Sequence, residues 1–154
     1  MTTATQNGRQ PIDSTQRESE PHMNSIQPKP RVLLVEDYDD AREMYVEYLT
    51  LCGFEMAEAA NGLQAIERAL EQLPHIVVMD LSLPQMDGWE TARRLREDAR
   101  TAGIPILALT GHVLADFSKR ARESGFDGFL TKPCLPEDLV AEIHRVLDAR
   151  PAAT

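Results

Sequence analysis

The 154-residue sequence has only two cysteines, Cys52 and Cys134, and neither lies in a CxxC pair or beside a matched histidine cluster. That spacing excludes a disulfide framework and argues against a zinc site. The four histidines, His22, His75, His112 and His144, are equally scattered. No apolar run approaches the length of a membrane span, and the opening MTTATQNGRQPIDSTQ lacks the apolar stretch of a signal peptide. A cytoplasmic setting with no membrane partner is therefore expected. Positive charge is also short: 16 Lys and Arg stand against 25 Asp and Glu, for a formal net charge of −9. Arg9, Arg17 and Lys29 cancel Asp13, Glu18 and Glu20 in the first thirty residues, so the whole excess belongs to residues 31–154. Direct nucleic-acid binding, which calls for a clustered basic patch, is not expected. The motifs GxxxxGK(S/T), GxSxG and HExxH are absent as well, which removes the commonest phosphate-loop, serine-hydrolase and zinc-protease readings.

What is present is a hydrophobic content of 42%, enough for a core in one domain of ordinary size. Residues 1–30 are rich in Thr, Gln, Ser and Pro and lack periodic apolar positions. They read as a disordered tail ending at QPKP, because too little surface could be buried to offset the entropy of ordering. From Arg31 five short apolar runs follow: 32–35, 54–58, 76–79, 104–109 and 127–130. Each is succeeded by a helix-like segment, near 39–51, 62–73, 88–99, 113–124 and 137–148. The run at 54–58 alternates weakly, as an edge strand would, whereas Ile76, Val77, Val78 and Met79 form a continuous run suited to burial on both faces. In the last helix Leu139, Val140, Ile143, Val146 and Leu147 recur at helical spacing, with Pro136 placed for its first turn. Cys52 reads as a core residue at the end of the first helix and Cys134 as a loop residue. Strands alternating with helices imply βαβ units, hence an α/β fold with a parallel sheet and helices on both sides. The domain is expected over 31–149, leaving 150–154 as a short C-terminal tail with no output module after it.

In a parallel sheet the loops that follow the strands gather at one edge, which is where open α/β folds bind ligands. Glu36 and Asp37 follow the first run, Asp80 the third, Thr110 the fourth and Lys132, then Pro133, the fifth. Taken singly, Glu36 and Asp37 could be a solvated turn with Asp39 as N-cap, Asp80 a solvated strand end, and Lys132 a surface lysine. Taken together they converge. Three crowded carboxylates raise one another's pKa unless a cation joins them, and Mg²⁺ or Mn²⁺ with oxygen ligands is the natural choice. Lys132 and Thr110 are what a phosphoryl group on Asp80 would need around its oxygens. The set therefore suits a carboxylate nucleophile that becomes an aspartyl phosphate.

The segments VLLVEDYDDAR, VVMDLSLPQMDGWE, LALTGH and GFLTKP, in this order and spacing, resemble the receiver domain of two-component response regulators. The resemblance implies a doubly wound, flavodoxin-like five-stranded parallel sheet of order 2-1-3-4-5 with five flanking helices. It implies Asp80 as phosphoacceptor from a histidine kinase or histidine phosphotransfer protein. Asp37, Asp80 and the backbone carbonyl of Ser82 would hold Mg²⁺ directly, and Glu36 would do so through water. Thr110 and Lys132 would contact the phosphoryl oxygens. Phe129 falls at the switch aromatic, and Pro133 is a cis-peptide candidate. Ser82 and His112 occupy positions that tune water access to the phosphate, although both also read as ordinary exposed loop residues. The implied role is a stand-alone signalling switch or relay that catalyses only its own phosphotransfer and dephosphorylation. Its output would be altered affinity for a protein partner, with phosphorylation-linked homodimerisation left open. Two other readings are a phosphorylation-independent scaffold and a Mg-dependent phosphohydrolase of the haloacid-dehalogenase type. The second would place a carboxylate two residues after the nucleophile, where this sequence has Ser82.

Overall fold

The computed structural model describes residues 28–111 and 117–149, and of Ser118 the backbone only. The expectations for residues 1–27 and 150–154, and for His112, lie outside these. Strands β1 (Arg31–Val35), β2 (Glu55–Ala59), β3 (Ile76–Asp80), β4 (Ile106–Thr110) and β5 (Gly128–Thr131) alternate with helices α1 (Asp39–Leu51), α2 (Gly62–Gln72), α3 (Gly88–Glu97), α4 (Phe117–Glu123) and α5 (Pro136–Ala149). All pairings are parallel, in the order β2-β1-β3-β4-β5. This is the doubly wound order 2-1-3-4-5 that the resemblance implies.

The alternation of side chains along each strand divides the core into two layers. Val32 and Leu34 of β1 and Ile76 and Val78 of β3 face one side, where Tyr45 and Leu49 of α1 and Leu139 and Ile143 of α5 cover them. Leu33, Val35, Val77 and Met79 face the other, against Ala65 and Ala69 of α2, Ala92 and Leu95 of α3 and Phe117 of α4. Every residue of β3 is buried because it is flanked on both edges and both faces, whereas β2 buries only Ala59 fully. The continuous and the weakly alternating sequence patterns reflect those two positions.

Boundaries differ from the sequence reading by one or two residues, apart from the start of the fourth helix, whose expected residues 113–116 lie outside the described residues. α3 stops at Glu97 because Asp98 is extended (ψ 125°), and α2 stops at Gln72 because Leu73 adopts a left-handed cap (φ 46°). Tyr38, not Asp39, is the N-cap of α1, and it makes no side-chain cap bond. The expectation for Cys52 is corrected: it is exposed. Tyr45 and Leu49, four apart, own the buried stripe of α1. Cys52 follows its last turn, where the chain reverses through Gly53 at φ 99°.

Candidate functional site

Strands β1 and β3 lie side by side at the centre of the sheet, with Val35 opposite Met79. The next residue of each chain segment is therefore a neighbour of the other: Glu36 continues β1 by donating its N–H to the Ala59 carbonyl (3.0 Å), and Asp80 ends β3. Glu36 is 1% exposed and Asp80 4%. Asp37, the next residue out, is exposed. One carboxylate oxygen from each of Glu36, Asp37 and Asp80 lies within 4.8 Å of the others. At that separation two full charges repel by about 3 kcal/mol even at an effective dielectric constant of about 20.

Lys132 relieves part of this. Its Nζ donates to Glu36 Oε1 and to Asp80 Oδ2, both at 2.9 Å. The other oxygen of Asp80, Oδ1, accepts the Ser82 N–H at 2.9 Å, and Glu36 Oε2 accepts the Tyr38 N–H at 3.2 Å. Burial pushes the Glu36 pKa up, the nearby Asp80 charge adds to this, and the Lys132 and Tyr38 donors work against it. For Lys132, burial disfavours the ammonium, but the hydrogen bonds and charges of Asp80 and Glu36 prevail and hold its pKa above the ordinary lysine value. With all three acids ionised, one ammonium leaves the cluster two negative charges in excess. An all-oxygen donor set with that charge fits a hard divalent cation, Mg²⁺ in particular.

Thr110, Ser82 and Pro133 adjoin this cluster through the sheet or the chain. Thr110, 5% exposed, ends β4 one residue beyond Leu109, which pairs with Asp80, and its carbonyl accepts the Lys132 N–H at 2.7 Å. The Lys132–Pro133 peptide is cis. Ser82 is exposed. Phe129 is half-buried in the core layer of α4, its ring 4.8 Å from that of Phe117 in an edge-on contact. Two residues that touch this loop network escape the sequence reading. Gly88 packs its Cα against the end of β3, where a Cβ would come 2.7 Å from the Asp80 carbonyl oxygen and 2.8 Å from Leu81 Cα. Arg42 donates to the Glu36 carbonyl at 2.8 Å. Both lie in the segments VVMDLSLPQMDGWE and VLLVEDYDDAR, where helical spacing gives them no link to the site.

Comparison with known proteins supplies the family. The family model for the response regulator receiver domain matches residues 32–144. The chain belongs to the response regulator receiver family. Among curated relatives, the phosphate regulon transcriptional regulatory protein PhoB of Pseudomonas aeruginosa is 38% identical over 116 residues, which is 75% of this chain and 51% of PhoB. The receiver thus spans about half the length of the curated relatives it matches. Among solved structures, the chemotaxis protein CheY4 of Vibrio cholerae superposes with a TM-score of 0.74 at 29% identity, covering 77% of this chain and 99% of that one. The receiver domain of the sensor histidine kinase PA1611 of Pseudomonas aeruginosa (TM-score 0.72, 27% identity, covering 79% of this chain and all of that one) was solved with magnesium coordinated in its active site cleft. The family is a signalling one that carries Mg²⁺ in an acidic cleft, and this receiver has the acidic cluster. Among its described residues no helix is long and apolar enough to cross a membrane.

Proposed function

We propose that this receiver is a phosphorylation-dependent switch or relay that takes a phosphoryl group onto Asp80 from the phosphohistidine of a kinase or phosphotransfer protein. The observation that carries the reading is Asp80 itself: a buried carboxylate at the end of the central strand, with one oxygen on a backbone N–H and the other on an ammonium. In the transfer, a carboxylate oxygen of Asp80 forms a bond to phosphorus as the bond from phosphorus to the donor imidazole nitrogen breaks, and the imidazole keeps the electron pair. Asp37, Asp80 and the Ser82 carbonyl would hold Mg²⁺, with Glu36 acting through water, and the bound cation would neutralise charge on the phosphoryl oxygens. Lys132 is already beside Asp80 and stabilises the same oxygens. Thr110 supplies a hydroxyl at the end of the neighbouring strand.

Phe129 completes the switch. It pairs with Ala108, two residues before Thr110, and packs on Phe117 of α4, so a shift of Thr110 toward the phosphate is passed to the α4–β5 surface through packing. That surface would present the altered affinity for an output protein.

Intact-protein mass spectrometry after incubation with Mg²⁺ and acetyl phosphate tests the reading. One phosphoryl adduct on the wild type, lost in Asp80→Ala and without Mg²⁺, is expected. An adduct that persists in Asp80→Ala would place the chemistry elsewhere, and turnover of an external phosphomonoester would instead support a phosphohydrolase.

A further inference from the structure

The guanidinium of Arg42 has three separate partners. Nη1 donates to the main-chain carbonyl of Glu36 at 2.8 Å, Nη2 to Asp39 Oδ1 at 2.7 Å, and Nε to Glu58 Oε1 at 3.3 Å. Its side chain is 17% exposed, and the hydrogen bond to Asp39, outweighing partial burial, holds its pKa above the ordinary arginine value. The carbonyl it grips belongs to the peptide plane that joins Glu36 to Asp37. A peptide is planar, so fixing that one group fixes the directions in which the two flanking residues leave it. Asp39 lies in the first turn of α1 and Glu58 on β2, so the grip is referred to a helix and a strand outside the Glu36–Asp37 peptide.

We propose that Arg42 is a positioning residue for the cation site: it locks the Glu36–Asp37 peptide so that both carboxylates converge with Asp80. The proposal rests on the ligand set put forward above. Asp39 and Glu58 also matter for charge, because they balance the guanidinium and keep it from repelling a cation held a few residues away. A lysine would keep the charge but has a single nitrogen on a flexible stem, which cannot span three acceptors in three directions.

The test is isothermal calorimetry of Mg²⁺ binding to the full chain without phosphodonor, comparing wild type, Arg42→Lys and Ile143→Val. Arg42→Gln is less clean, since removing a positive charge would by itself tighten cation binding. Ile143 is a fully buried residue of the α1–α5 layer and its variant reports what destabilisation alone does to the affinity. Loss of an outer-shell positioning group costs metal sites about 10–100-fold, so Arg42→Lys is expected to bind Mg²⁺ about tenfold more weakly while Ile143→Val stays close to wild type. An Arg42→Lys affinity within about twofold of wild type, or one no weaker than that of Ile143→Val, overturns the proposal, because an outer-shell role predicts a far larger loss. A wild type that binds no Mg²⁺ overturns the ligand set first and the role of Arg42 with it, which separates the two failures.

Discussion

At the scale of single residues, Glu36 shows how burial and charge set the working range of the site. Its carboxyl is nearly inaccessible and, in the proposed ligand set, would have to be ionised to serve a cation, yet burial and the neighbouring Asp80 raise its pKa above the ordinary value of 4.5. On acidification, Mg²⁺ affinity is therefore expected to start falling at a higher pH than an ordinary carboxylate set would allow, and Glu36→Gln should shift the onset downward. Calorimetric titrations across the acidic range read both curves; identical onsets would show that Glu36 does not control binding. Tyr45 gives a stability prediction. Buried at 4% exposure, it donates its hydroxyl to the Cys134 carbonyl at 3.0 Å and so ties α1 to the loop that follows Lys132. Burial pushes its pKa up, which keeps the hydroxyl a donor. Tyr45→Phe keeps the ring and orphans that carbonyl, so a loss of about 1–2 kcal/mol is expected in urea unfolding, with the slope unchanged.

At the scale of elements, the loops are held by their own helix starts. The helix α3 begins directly below Asp80, and Asp87 caps it by accepting the Glu90 N–H at 2.9 Å. The Gly88 N–H donates to the Leu81 carbonyl at 3.1 Å, so the same first turn anchors the segment after Asp80. Asp87→Ala should cost about 1 kcal/mol. Because cap and loop share that turn, hydrogen exchange at Leu81 and Ser82 should quicken with it; unchanged exchange there would show that the cap serves the helix alone. These local devices are largely legible in the sequence. The first-turn Pro136 and the five apolar runs follow from short-range rules, and every strand lies within two residues of its sequence placement. Cys52 is misplaced by the same rules because helical spacing does not tell which of two adjacent stripes meets the sheet until the neighbouring elements are in place.

At the scale of the whole molecule, acidic groups respond to pH in opposite senses. Hydrogen bonds from Arg93 and Arg94 hold Glu90 down at about 2, and those from Arg100 hold Asp98 at about 2. For both, the folded state binds fewer protons than the unfolded state below the ordinary carboxylate range. Their contribution is present above that range and is lost as pH falls toward 2. Glu36, with its raised pKa, acts in the other direction: the folded state holds its proton more tightly, so acidification down to the ordinary range favours the fold. Urea midpoints are expected to drop below the ordinary carboxylate range, and less steeply in high salt, because Glu90 and Asp98 are at the surface. A drop independent of salt would assign acid sensitivity to buried groups instead. On the same scale, phosphorylation has only to bias two packings of one fold; moving the balance from 1:99 to 99:1 takes about 5.5 kcal/mol of differential stabilisation.

The sequence by itself determined the class of fold and the company of Asp80. Apolar runs separated by helical segments force parallel strands, and parallel strands bring their carboxyl ends to one edge whatever the details of packing. The order of the runs and the residues that follow them are therefore enough to group Glu36, Asp37, Asp80, Thr110 and Lys132. Only the tertiary structure decided how they are held: Lys132 reaches Glu36 across 96 residues of sequence, Tyr45 reaches Cys134 across 89, and Arg42 meets Glu58 because β2 lies beside β1. Such contacts depend on distances between elements set by core packing, and no periodicity along the chain carries that information.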